Sequence, residues 1–302
     1  MIRHFSLFLS CFAFFTLQFF SNCSADIYVF GDSLSDEGNF YLASGGALPP
    51  TPLYYEGRFS NGPVWTETLA RIMNEPTPNP SLIGGSNYAF NGSRAAGASP
   101  YGTPDLMMQV FAFLSENGGV ADPSDTFVVW AGANDLFFGI AFGEQNYVQN
   151  AVEGVEQSVR MLYQAGARKI VVLDLPLLGE TPFFNKDQLA SSALNVATES
   201  FNALLAGELR SLKRELRHAR IADVRISKLF QAASRTPRLF GLRNVTDSAT
   251  LFDPVSGLGY SLAPNVRPDQ YLFWDSIHPT SQGHRIVASY AFLDIKLQCF
   301  HR

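Results

Sequence analysis

Residues 26–40 read DIYVFGDSLSDEGNF. A strand-forming run, Ile27, Tyr28, Val29 and Phe30, stops at Gly31, and a polar cluster holding Ser33, Ser35, Asp32, Asp36 and Glu37 follows. An apolar run broken by a glycine turn is how a buried strand hands over to a helix in an α/β protein. The same pattern recurs down the chain. NYAF (87–90), TFVVW (126–130), KIVVLDL (169–175) and ARIADV (219–224) read as further buried strands. Helical spacing predicts helices over 63–73, 105–117, 147–165, 188–217 and 281–297. In 188–217, Leu194, Ala197, Phe201, Leu204, Leu205, Leu209 and Leu212 fall on one face, and Lys213, Arg214 and Arg217 crowd the last turns, where cations favour the helix dipole. Strands apolar throughout and alternating with helices predict a parallel sheet covered on both faces. In such sheets ligands gather at the carboxyl ends of the strands, so the loop after each strand is where chemistry is expected.

Those loops carry the residues that acyl transfer needs, namely a nucleophile, a base, a group orienting the base and donors for an oxyanion. Ser33 follows a strand and a glycine, which leaves its hydroxyl clear at the sheet edge; read alone, the segment is equally a turn with Asp32 or Ser33 capping a helix. Ser35 occupies the place of the second glycine in a G-x-S-x-G elbow, which disfavours an ordinary α/β-hydrolase. In DSIHP, Asp275 stands three residues before His278, close enough to hold one imidazole nitrogen and leave the other for Ser33. The spacing also suits a helix cap or half a metal site. His284 is the only histidine nearby, and helix 281–297 should carry it away from the crevice, so neither metal nor cofactor is expected. In GAND, Asn134 can aim a neutral amide at an oxyanion, or be a plain turn residue. Gly92 offers an unobstructed backbone N–H, or is a turn glycine.

The N-terminus reads as a leader. MIRH is a short basic start, FSLFLSCFAFFTLQFF runs without a charge, and SNCSA ends in small residues. A secretory signal peptide over 1–25 is expected, cleaved after Ala25, followed by one domain over 26–302. An uncleaved anchor needs about 20 apolar residues, and a lipidated Cys23 would follow Asn22, an awkward neighbour. The protein is therefore expected outside the cytoplasm, periplasmic or secreted. Removing 1–25 takes away Arg3 and no acid, leaving 21 basic against 27 acidic residues, or −6, which argues against nucleic acid as a partner. Only Cys299 would remain, so no internal disulfide is expected.

Together FGDSLSDEGN, NYAFNGSRA, GAND and DSIHPT resemble, in order and spacing, the blocks of the SGNH or GDSL-type hydrolases over nearly all of residues 26–297. GRFSNGPVW (57–65), DLPLLGETP (174–182) and FWDSIHPTSQGH (273–284) are similar to the bacterial branch of secreted lysophospholipases, phospholipases A and glycerophospholipid-cholesterol acyltransferases. The resemblance implies a three-layer, flavodoxin-like α/β/α sandwich on a five-stranded parallel sheet. It implies the triad Ser33, Asp275 and His278, and an oxyanion hole of Ser33, Gly92 and Asn134. Two positions depart from the pattern: Glu37 stands where threonine is usual, and Asn91 replaces the first glycine of a pair. The implied substrate is a lipid acyl ester, met at a membrane surface. Aromatic residues flank the expected crevice, with Phe40, Tyr41, Tyr54, Tyr55 and Phe59 on one side and Phe137, Phe138, Phe142 and Tyr147 on the other. A carbohydrate O-acetyl esterase and a non-catalytic lipid-binding protein on the same scaffold stay open as alternatives.

Overall fold

The computed structural model describes residues 25–251 and 261–299. The expected leader, with Cys11 and Cys23, lies outside the described residues except for Ala25. The main sheet has four parallel strands in the order β1 (Ile27–Gly31), β2 (Thr126–Trp130), β3 (Lys169–Leu173) and β4 (Arg220–Val224). Val29 pairs with Val128, Val128 with Val171 and Val171 with Ala222. Every residue of β2 is buried, as the unbroken apolar run requires of a strand covered on both faces.

Of the five expected strands, 87–90 is a correction. The segment does lie beside β1, where Val29 N–H donates to Ser86, Tyr88 N–H to Val29 and Phe90 N–H to Gly31, at 3.0, 2.7 and 3.2 Å. It forms only isolated bridges, because asparagine side chains occupy its backbone groups. Asn39 Nδ2 donates to the carbonyls of Asn87 and Ala89, and Asn87 Oδ1 accepts from Ala89 N–H. The spatial order is still the flavodoxin-like one, with its edge strand reduced to an extended segment.

Helix α1 (Asn39–Ala43) is short. Helices α2 (Trp65–Met73), α3 (Leu106–Glu116), α5 (Tyr147–Ala165), α6 (Gln188–Glu215) and α8 (Ser281–Cys299) fall where periodicity predicts; α4 (Ala133–Phe142) and α7 (Ile226–Arg235) do not appear in that reading. Helices α3, α5 and α6 pack in a row on one layer, while α2 packs on α8, which also lies on β4. Along α6, six of the seven expected apolar positions are buried and Leu204 faces solvent. A small parallel pair, β5 (Asn244–Ser248) and β6 (Tyr271–Phe273), precedes the loop that leads into α8.

The end of β1 sets the geometry of everything above it. A side chain at Gly31 would run into the carbonyl of Trp130 on β2, so only glycine lets the two strands close here. Gln109 of α3 then acts as a substitute strand: its Oε1 accepts from Gly31 N–H and its Nε2 donates to the Gly31 carbonyl, both at 2.8 Å. Gln109→Leu keeps the volume and strips both partners from buried backbone groups. It should lower unfolding free energy by about 2 kcal/mol, read from urea midpoints; a loss under about 0.5 kcal/mol would show that the amide carries no such role.

Candidate active site

The loops at the carboxyl ends bring all the expected residues to one place. Ser33 Oγ donates to His278 Nε2 at 2.9 Å. On its other side the imidazole donates from Nδ1 to Asp275, at 2.8 Å to Oδ2 and 3.0 Å to Oδ1. Asp275 is fully buried, His278 and Ser33 nearly so. The carboxylate also caps its own turn, accepting from the N–H groups of Ile277 (2.9 Å) and His278 (2.7 Å). The cap and the orienter, which compete when DSIHP is read alone, are thus the same group.

Asp275 has a further partner. Tyr54, expected among the aromatics that flank the crevice, is instead buried with its hydroxyl donating to Asp275 Oδ2 at 2.6 Å. Phe59 packs on the His278 ring, with centroids 5.0 Å apart. The GRFSNG stretch fastens the histidine loop from outside: Ser60 Oγ donates to the Pro279 carbonyl at 3.0 Å and Asn61 Oδ1 accepts from Ser281 N–H at 2.8 Å.

The expected oxyanion donors converge beside Ser33. Asn134 Nδ2 donates one hydrogen to the Ser93 carbonyl at 2.8 Å. Its second hydrogen is free to face the cavities that Asn134 lines with Ser33. The N–H groups of Ser33 and Gly92 donate to no described residue. Gly92 has φ +71, and an added side chain would collide with the Tyr101 ring, so position 92 tolerates glycine alone. The Asn91 departure leaves Gly92 in place: Asn91 N–H donates to Asp36 Oδ2 at 2.9 Å and ties the second loop to the first.

Buried carboxylates hold these loops. Asp36 accepts from Gly38, Asn39, Phe40 and Asn91 N–H; burial pushes it up to about 6 while those donors pull it down. Asp36 thereby holds the first amides of α1, while Ser35 accepts from Trp65 Nε1 at 3.0 Å. Asp135, from GAND, accepts from Ala95 and Ala96 N–H (2.7 and 3.1 Å) and lies 3.6 Å from Arg94 Nε, fixing the second loop to α4. Burial likewise raises it to about 6. Asp32 is pushed up to about 7, by burial first. Glu37, the other departure, is buried with Oε1 accepting from Thr66 Oγ1 at 2.6 Å and Oε2 unpartnered. Burial, then the neighbouring Glu67, hold its carboxyl well above the usual range, although Arg58, paired to Glu67 at 2.8 Å, pulls the other way. His284 is buried on α8 and lines neither cavity at the site; burial and then His278 push it down to about 3.

Two cavities open on Ser33, and they share Asn134, Phe137, Ile277 and His278. The larger, about 400 Å³, is walled by Phe40, Phe59, Tyr101, Phe138, Phe183 and Leu194 among others. Of the expected aromatic flank, Phe40, Phe59, Phe137 and Phe138 line it. Tyr55 instead lies under Arg58 at the surface, Tyr147 packs on Gly139, and Phe142 stacks on Phe138 from outside. The smaller cavity, about 240 Å³, runs between α7 and the β5–β6 pair.

The profile of the GDSL-like lipase and acylhydrolase family matches residues 27–291. The chain belongs to that family. Its relatives include a phosphatidylcholine-sterol acyltransferase of Aeromonas hydrophila, 27% identical over 90% of both chains. An acetylajmalan esterase of Rauvolfia serpentina is 27% identical over 90% of this chain and 91% of its own. A thermolabile hemolysin of Vibrio parahaemolyticus is 26% identical over 87% of this chain and 62% of its own length. An acetylxylan esterase structure from Geobacillus stearothermophilus aligns over 90% of this chain and 94% of its own at 14% identity and TM-score 0.46. This GDSL protein is a carboxylic ester hydrolase.

Two measurements check the supporting groups. Tyr54→Phe leaves Asp275 on His278 but removes one donor to a charged acceptor, a loss of about 1.5 kcal/mol. The turnover number should therefore drop about tenfold with KM little changed, and an unchanged turnover would dismiss the tyrosine. For Glu37, a folded pKa above the unfolded one means that the proton stabilises the fold: that stability is complete below the unfolded pKa and is lost as pH rises through the folded one. Glu37→Gln removes the linkage. In urea unfolding the variant should therefore gain on wild type from about pH 5 upward, and a constant difference across the range would contradict the assignment.

Proposed function

We propose that the protein hydrolyses lipid acyl esters, lysophospholipids or phospholipids first among them, through an acyl-enzyme on Ser33. Ser33 Oγ attacks the carbonyl carbon as its proton passes to His278 Nε2, and Asp275 holds the imidazolium that forms. The N–H groups of Ser33 and Gly92 and the free hydrogen of Asn134 receive the oxyanion. The tetrahedral intermediate collapses when His278 gives its proton to the departing alcohol oxygen. Water, deprotonated by the same nitrogen, then attacks the acyl-enzyme and releases the acid and Ser33.

The observation that carries the lipid reading is the larger cavity. Its walls beyond the reacting atoms are mostly apolar, with Asn91 and Tyr101 the polar exceptions, which suits a hydrocarbon chain and offers a sugar few groups to bond. Around its mouth Leu48, Tyr101, Ile140 and Phe183 are partly exposed, as are Phe142 and Leu189 beside them; an apolar rim of this kind suits a membrane or micelle surface. Export by the leader over 1–25 belongs to the same reading, as does the phosphatidylcholine named for the Aeromonas relative.

Two assays in one panel test it. A fluorophosphonate probe should label wild type and leave Ser33→Ala unlabelled. Wild type should release fatty acid from lysophosphatidylcholine far faster than acetate from acetylated xylan. Failure to label overturns the serine mechanism, and a preference for acetate overturns the lipid substrate.

A further inference from the structure

The two cavities at Ser33 differ in kind. An ester has two halves, and a fatty acyl chain carries no polar atom beyond its carbonyl. The larger cavity, with no Asp, Glu, Lys or Arg in its lining, suits that half. The smaller one is different. One wall is a face of α7, formed by Ser227, Phe230, Gln231, Ser234 and Arg235. These positions recur at helical spacing and extend about 12 Å along the helix. Asp174, at the end of β3, anchors the near end, accepting from Ser227 N–H at 2.8 Å and Oγ at 2.5 Å. Opposite lie Leu272, Phe273 and Val245, and Glu180 stands on the wall formed after β3, where Asn195 donates to it at 3.2 Å.

At the far end of this wall polar groups stand without partners. Gln231, Ser234 and Arg235 face solvent at the open end of the cavity and make no side-chain hydrogen bond to any described residue, and no described carboxylate pairs with Arg235. We propose that the smaller cavity holds the alcohol half of the ester, and that Arg235, aided by Gln231 and Ser234, receives a phosphate carried on that alcohol. The chemistry selects a phosphate-bearing glycerolipid over a neutral one: the glycerol unit lies along the apolar stretch beside Phe230, and the phosphate oxygens meet a guanidinium whose fork suits them. This rests on the lipid-ester reading above.

The test compares kcat/KM for lysophosphatidylcholine with that for monoacylglycerol of the same acyl chain, presented in the same neutral detergent micelles. Wild type should prefer the phospholipid. Arg235→Ala should reduce the ratio of the two by about three- to tenfold, through KM rather than kcat, and Arg235→Lys should keep most of it. Glycerol phosphate should inhibit wild type more strongly than Arg235→Ala. A ratio that does not move, or that moves only because both substrates fall together, overturns the subsite and leaves Arg235 serving the C-terminal dipole of α7. If wild type cleaves neither lipid but does cleave acetyl esters, the lipid reading itself fails and the subsite with it; cleavage of both lipids with an insensitive ratio removes the subsite alone.

Discussion

The site depends on one buried charge. Asp275 is out of contact with water, and an isolated carboxylate there would be prohibitively costly. It persists because donors surround it: two backbone N–H groups of its own turn, the imidazole Nδ1–H of His278 and the Tyr54 hydroxyl. Satisfying the carboxylate and aiming the histidine are therefore one requirement. The imidazole has little freedom to turn away without leaving the charge short of a donor, which preorganises it toward Ser33.

The same principle fixes the loops to each other. They leave different strands, and nothing in a parallel sheet alone determines how their tips sit. Asp36 in the first loop takes Asn91 N–H from the second, Asp135 on α4 takes Ala95 and Ala96 N–H from that same loop, and Ser60 and Asn61 secure the histidine loop. Each tie is a buried or half-buried polar group that loses its partner if a loop shifts, at a cost of up to about 1–3 kcal/mol where it is fully buried. Ser33, Gly92, Asn134 and His278 are thereby held at separations that the helices beneath could not enforce.

Local patterns made the sheet and the triad legible. The apolar runs at 126–130 and 169–173 could be little other than covered strands, and Ser33, Asn134 and His278 were each found by their position after a strand or before the last helix. Nonlocal pairings were not legible. Segment 87–90 has the composition of a strand but is interrupted by Asn39, far away in sequence. Tyr54 is separated from Asp275 by most of the chain and sits among other aromatics, so no spacing marks it out. Helix α7 was missed because it is only ten residues long and its buried stripe is limited to Ile226, Leu229 and Ala233.

The proposed preference for a long acyl chain rests on energetics rather than on the triad. Ser33 is 8% exposed and His278 3%, so the reacting ester must give up its water to reach them. A chain contributes about 0.8 kcal/mol for each methylene it buries, and that energy, gained remote from the carbonyl, offsets the desolvation and positions the ester for attack. An acetyl group buries almost nothing and leaves the apolar cavity unused. The triad would act on either ester; the cavity beside it decides which one arrives with enough binding energy to be held against the oxyanion donors.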